Sequence, residues 1–234
     1  MTFDFWNTLA AEGSGGLFGP RVKLWRDILM ASGFDVDRAQ LERAHRAALV
    51  AYEAAWRSGT QFRSAEATRH ILDALALSCD PPTIDHLERS FVDAGGLSDI
   101  ALVEGAAEAL RALAGGGISL GVICDIGLTP SASLVAWMEQ WGVLSLFDVV
   151  AWSDELGMYK PDRRIFEQVL DRLGVPASLA WHVGDRRRTD VAGATAAGMT
   201  AVRFRGVYDD VEELPDAPIV VSSYGELLYR AGVS

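Results

Sequence analysis

Only two cysteines occur in 234 residues, Cys79 and Cys124, and neither has the spacing of a zinc site or a disulfide framework. Such sparing use fits a reducing, cytoplasmic compartment. Basic side chains are also in deficit, 21 against 32 acidic ones, which leaves a formal net charge of -11. That field repels nucleic acid and anionic membrane surfaces, so neither is expected as a partner. No stretch approaches the ~18 apolar residues of a membrane span, and Asp4 interrupts the first apolar run too soon for a signal peptide. The same aspartate leaves Met1, Thr2 and Phe3 before it, short for a central strand of ~5 residues. Either the first strand is brief or the natural start lies upstream. What is abundant is core material: 50% of the residues are hydrophobic and 23% charged, the profile of a soluble globular chain able to bury a full core.

The C-terminal part alternates between two patterns. Ile118 to Cys124, Phe147 to Trp152, Leu179 to Val183, Thr200 to Phe204 and Ile219 to Ser222 are short apolar, β-branched runs bounded by Gly, Pro or Asp, as buried strands are. Between them lie helical patterns over Val103 to Ala114, Pro130 to Trp141, Arg164 to Leu173 and Thr189 to Ala197. This order implies βαβ units and a parallel sheet covered on both faces, an α/β fold with a Rossmann-like core. From about residue 13 to 99 the apolar residues recur instead at intervals of three and four. Helices are expected over Val22 to Ser32, Asp37 to Trp56, Ser64 to Leu77 and Pro82 to Asp93. The chain therefore divides into a core, 1–12 with 100–234, and an all-helical domain, 13–99, inserted after the first strand. The run from Gly13 to Gly16 reads as a hinge or mobile loop.

In a parallel sheet, ligands gather outside the carboxyl ends of the strands. Polar residues follow four of the expected ends: Asp4 to Leu9 after the first, Cys124-Asp125-Ile126-Gly127 after the second, Lys160-Pro161-Asp162 beyond the third, and His182-Val183-Gly184-Asp185 at the fourth, with Asp190 five residues on. This ordered set resembles the haloacid dehalogenase superfamily, whose members carry D-x-D-x-T, then Ser or Thr, then Lys, then G-D-x(4)-D at successive strand ends. The resemblance covers the core from Met1 to Phe204 and implies a hydrolase with a helical cap inserted after the first motif.

Residue by residue, the resemblance implies Asp4 as nucleophile, forming an aspartyl-phosphate, and Lys160 as the cation that neutralises the phosphoryl oxygens. It implies a Mg2+ site made of the Asp4 carboxylate, the Trp6 backbone carbonyl and Asp185, with Asp190 orienting the site or holding a metal-bound water. Thr8 would donate its hydroxyl near Asp4, and Cys124 stands where the family has its phosphate-binding Ser or Thr. Asp125 could reach the site as well, or shape the turn before Gly127. Arg186, first of three consecutive arginines, could bind a second anionic group on the substrate, or the run could be charge-paired locally. In the helical insertion, Arg21, Lys23, Trp25, Tyr52 and Trp56 could face the substrate, although residues at such helical spacing are more often core or solvated face.

Two positions depart from the family pattern. Trp6 replaces the second aspartate that serves as general acid, and Cys124, a weaker donor, replaces a hydroxyl. The expected function is a Mg2+-dependent phosphatase acting on a small phosphorylated metabolite, as a monomer or homodimer. Two alternatives stand beside it. One is a dehalogenase-like hydrolase of 2-haloacids, in which an aromatic residue occupies the position of Trp6; the other is a non-catalytic binding or regulatory protein of the same fold.

Overall fold

The computed structural model describes residues 1–233. Six short strands form one sheet: β1 (Thr2–Phe3), β4 (Gly121–Cys124), β5 (Val149–Trp152), β6 (Trp181–Gly184), β7 (Thr200–Phe204) and β8 (Ile219–Val221). Their spatial order is β5-β4-β1-β6-β7-β8, and every neighbouring pair is parallel. The sheet is buried on both faces, which is why its strands read as continuous apolar runs and not as alternating ones. The first strand is short but central, with Thr2 paired to Gly121 on one side and His182 on the other.

Helices α5 (Ala106–Gly115), α6 (Ser131–Gln140), α8 (Arg163–Leu173), α9 (Ala192–Ala196) and α10 (Tyr224–Ala231) lie between or after the strands, with the single turn α7 (Ser153–Leu156) following β5. β4, β5 and β6 begin later than their apolar runs do, whereas β7 and β8 begin where theirs start. Ahead of β4, the Leu120 N–H is taken by the Asp148 carboxylate at 2.9 Å, outside the strand ladder.

The inserted segment is helical: α1 (Phe18–Ala31), α2 (Arg38–Arg57), α3 (Ser64–Leu75) and α4 (Pro81–Asp93). Local chemistry sets their ends. Asp37 and Gln40 form a reciprocal capping box at the start of α2, and Asp80 accepts the Thr83 N–H at 3.0 Å with two prolines in the first turn of α4. Their inward faces bury Trp25, Leu29, Leu41, Ile71, Leu87 and Phe91. The glycine run is tied down: Asp99 accepts the N–H groups of Gly15 and Gly16 at 3.1 and 2.9 Å, and its carbonyl accepts that of Gly13 at 3.0 Å.

Two compact units result. One contains residues 1–11, 101–125 and those from 135 onward; the other contains 12–100 together with 126–134. The second stretch of that helical unit follows β4 directly, so spacing alone did not reveal it. It is held by Leu128 in the helical core and by Gln61 Nε2, which donates to the Ile126 carbonyl at 3.4 Å. At Gly127 a Cβ would stand 2.5 Å from the Tyr52 ring, so only glycine fits. A separate two-stranded sheet pairs β2 (Ala10–Glu12) with β3 (Ile100–Leu102), where the chain leaves the first unit and returns. Three residues per strand are too few for a periodic signal in the sequence.

Candidate active site

The strand order β4-β1-β6 sets three carboxyl ends side by side, and they carry Cys124, Asp4 and Asp185. Asp4 leaves β1 with its N–H on the Val183 carbonyl at 2.8 Å. The chain then turns tightly: the Phe5 carbonyl accepts the N–H groups of Leu9 and Ala10, both at 2.8 Å, and Asn7 adopts a left-handed φ of 57°. Tyr224, from the last helix, fixes this turn by donating its hydroxyl to the Thr8 carbonyl at 2.8 Å. The Thr8 hydroxyl is fully buried and makes no hydrogen bond, so it remains an available donor.

Lys160 brings the carboxylates together. Its Nζ lies 2.6 Å from Asp4 Oδ1 and 2.6 Å from Asp190 Oδ1, and its side chain is only 2% exposed. Burial alone would strip the ammonium of its proton, but Asp190, Asp4 and Asp125 hold its pKa well above the usual lysine value. Burial works the other way on the acids. It raises Asp4 to about 7 against the opposing pull of Lys160, and it raises Asp185 well above the carboxylate range, helped by the charges of Asp4 and Asp190. Asp190 escapes this: burial would lift it, yet Lys160 and His182 keep it well below its ordinary value.

The segment that carries Asp190 is a π turn, Arg187–Val191, the kind of local irregularity often found at functional sites. Inside it, Asp190 accepts the Arg186 N–H at 3.0 Å. His182 holds it from below the strand end, with Nε2 at 3.1 Å from Asp190 Oδ1 and Nδ1 at 2.9 Å from the Thr2 hydroxyl. Because the ionised carboxylate can only accept, Nε2 carries the proton and Nδ1 accepts from Thr2. In the sequence His182 stands only as part of the His182-Val183-Gly184-Asp185 run, with no role attached. Its signal was its position, three residues before Asp185 on a buried strand.

The other expected residues fall as follows. Asp125 accepts the backbone N–H of Lys160 at 2.9 Å, which fixes the loop that presents the lysine. Cys124 is buried with its thiol on the Asp125 carbonyl at 3.5 Å, and burial raises its pKa well above the ordinary thiol value, so it stays protonated. Trp6 presents an indole packed edge-on against Trp137 and offers no acid at that position. Arg186 stacks over Tyr208 at 4.9 Å and lies 3.9 Å from Asp185, whose Oδ2 also accepts from Asn7 Nδ2 at 3.2 Å. Arg187 is locally paired, with Asp216 at 3.0 Å and its N–H on Asp210 at 2.7 Å. In the helical unit, Lys23 is an exposed partner of Asp27, and Arg21 and Trp25 are buried.

Asp4, Asp185 and Asp190 each offer an oxygen, all within 4.8 Å of one another. One ammonium cannot neutralise three buried carboxylates, two of which, Asp4 and Asp185, are accordingly held toward their protonated forms, and the donor set is oxygen throughout. Those are the requirements of a hard divalent cation such as Mg2+, and the residues fit one.

Residues 1–198 match the haloacid dehalogenase-like hydrolase family. Curated relatives include the glyceraldehyde 3-phosphate phosphatases of Methanopyrus kandleri, 41% identical over 34% of this chain and 37% of that protein, and of Methanocaldococcus jannaschii, 35% identical over 48% of each. The aligned stretch thus spans about half or less of those relatives. Among solved structures, a 2-haloacid dehalogenase from Pseudomonas syringae superposes with a TM-score of 0.72 at 23% identity, covering 99% of this chain and 96% of the other. A phosphatase of the family from Thermococcus onnurineus superposes with a TM-score of 0.69 at 19% identity, over 100% and 97%. At such identities these two likenesses speak for the fold. The family match, running through every strand end just described up to Asp190, makes the assignment: the chain belongs to the haloacid dehalogenase-like hydrolases.

Proposed function

We propose that this hydrolase is a Mg2+-dependent phosphatase of small phosphorylated metabolites, working through an aspartyl-phosphate on Asp4. The observation that carries the reading is the clamp of Lys160 on Asp4 and Asp190, with Asp185 close by. With Oδ1 held by Lys160, Oδ2 of Asp4 is the atom to attack phosphorus. The ester bond breaks as the acyl phosphate forms, and the leaving alkoxide takes a proton from water. The hydroxide so formed then attacks phosphorus, releasing hydrogen phosphate and restoring the carboxylate.

Lys160 neutralises charge on the phosphoryl oxygens, and the unpartnered Thr8 hydroxyl stands as a further donor, whereas the Cys124 thiol must leave the Asp125 carbonyl to donate. The Asp4, Asp185 and Asp190 carboxylates and the Trp6 carbonyl would hold Mg2+, which when bound supplies charge neutralisation at the transferring phosphate. Asp125 acts by fixing Lys160, and Arg186 offers a cation to the substrate beside Asp185. Residues 13–99 serve as the family's helical cap. With Trp6 in place of the acid, the enzyme favours substrates whose leaving group needs little protonation.

The test is hydrolysis of p-nitrophenyl phosphate with and without Mg2+, beside an Asp4→Asn variant. Mg2+-dependent release that the substitution abolishes is the expected result. The aromatic side chain at Trp6 favours a second reading, a 2-haloacid dehalogenase, and chelator-insensitive chloride release from a 2-haloacid would replace the first reading with it.

A further inference from the structure

The helical unit contains a buried cation without a counter-ion. Arg21 on α1 is 7% exposed. Its Nη2 donates to the Thr129 hydroxyl at 2.6 Å, and its guanidinium lies 5.6 Å from the centre of the Phe91 ring. No carboxylate bonds it. Glu12, the acid whose charge acts on it, gives Oε1 to the Leu17 N–H at 2.6 Å. Arg21 Nε is sealed from solvent with no partner; Nη1 is unbonded too but is not sealed. Arg203 shows the contrast: equally buried, it is gripped by Asp216 at 2.7 Å and Asp209 at 2.6 Å. An arginine serving only to brace a core is expected to be paired in that way.

The neighbours of Arg21 are unsatisfied as well. Trp25 lies one turn along the same face of α1 and buries its indole N–H without an acceptor. His45 on α2 packs edge-on against that indole, with ring centres 5.2 Å apart. Its Nδ1 is 3.0 Å from the Leu41 carbonyl and so carries the hydrogen, which leaves Nε2 a bare and unpartnered acceptor. The Thr129 hydroxyl accepts from Arg21, and its own hydrogen is free to donate.

We propose that Arg21, Thr129 and Trp25 form an anion-binding site within the helical unit, built for a small carboxylate or phosphate group. Arg21 supplies the charge through Nη1 and Nε, the hydroxyl and the indole supply directed donors, and His45 Nε2 receives a hydroxyl borne by the ligand. Two sources share this chemistry: a second acidic group on the enzyme's own substrate, an arm that rests on the phosphatase reading, or a free anion acting as effector, which does not.

The full-length chain, Arg21→Met and Thr129→Val are compared in two assays. In the first, kcat/KM for 2-phosphoglycolate, whose remainder is a carboxylate, is divided by that for p-nitrophenyl phosphate. A fall of tenfold or more in this ratio for Arg21→Met, carried by KM, identifies the substrate's own group. In the second, glycolate is titrated calorimetrically into each protein. Binding that weakens tenfold or more in Arg21→Met, with an unchanged kinetic ratio, identifies a free anion.

In anion-free buffer Arg21→Met melts at or above the parent temperature, because it removes an unpaired buried charge and keeps the packing. A lower melting temperature, with neither assay affected, would overturn the site. Should Arg21→Met not fold, Thr129→Val decides: a weakened ratio or weakened glycolate binding supports the site, and parent values in both overturn it. If p-nitrophenyl phosphate is not hydrolysed at all, the phosphatase reading fails, while the glycolate titration still decides the anion site.

Discussion

Gly184 and Asp190 compete for one volume: a Cβ on the glycine would stand 2.3 Å from Cγ of the aspartate. The carboxylate that receives Lys160, His182 and the Arg186 N–H therefore rests on bare backbone. Gly184→Ala should displace Asp190 and with it the lysine. Overpacking of this kind costs about 1–3 kcal/mol, but the larger effect is expected in kcat on an aryl phosphate. A variant with parent activity would show that Asp190 tolerates a different seat.

Lys160 is the cation bonded to both Asp4 and Asp190, so its removal strands two buried carboxylates. Lys160→Gln should lower kcat by about 10²-fold or more, as the loss of a preorganised charge does. Breaking such a buried cluster also destabilises by roughly 3–5 kcal/mol. Urea unfolding beside steady-state kinetics reads both. Lys160→Arg should not rescue, because a planar fork cannot replace an ammonium seated 2.6 Å from two separate carboxylates.

Crowded carboxylates predict a cation-dependent melting temperature. At 100 times its Kd, a ligand of the folded state adds about 2.7 kcal/mol, and for Mg2+ this should appear as an upward shift that a chelator reverses. Asp185→Asn should abolish the shift. An unaltered Mg2+ response in that variant would remove Asp185 from the cation's ligands.

His45 gives stability a pH dependence of definite sign. Burial depresses its pKa from 6.5 to about 4 in the folded chain. Above pH 6.5 the imidazole is neutral in both states and costs nothing. As pH falls from 6.5 toward 4, the unfolded chain takes up a proton that the folded chain refuses, and stability is lost. A shift of this size corresponds to roughly 3 kcal/mol. His45→Phe should flatten the curve between pH 6.5 and 4.5 relative to the parent, measured by urea midpoints; parallel curves would refute the assignment.

The clustering of these side chains was legible because parallel strands buried on both faces announce themselves as apolar runs, and the residue after each run sits at a known edge. Asp4 and Asp185 stand out on that logic, Lys160 and Asp190 through the resemblance to the family's ordered motifs, and the structure brings the four together. Side-chain partnerships across long separations were not legible. Nothing in the sequence pairs Tyr224 with Thr8, Thr2 with His182, or Asp99 with the N–H groups of Gly15 and Gly16, since each bond depends on which backbone positions the fold makes adjacent. Asp125 illustrates the limit. Its place beside Cys124 said that it could reach the site, and only the fold shows its carboxylate on the backbone of Lys160. The stretch 126–134 reads as core because it follows a core strand, whereas it groups with the helical unit and buries Leu128 in the helical core.

The central place of β1 has a consequence for how the molecule is made. Thr2 and His182 are neighbours in the sheet but 180 residues apart in the chain. At about 5–20 residues per second, roughly 10–40 s of synthesis separates the two strands. The strand that carries Asp4 can meet β4 earlier, through Thr2 and Gly121, but must wait at the ribosome for that interval before its second neighbour exists, while most of the helical unit, contiguous from 12 to 100, can already assemble.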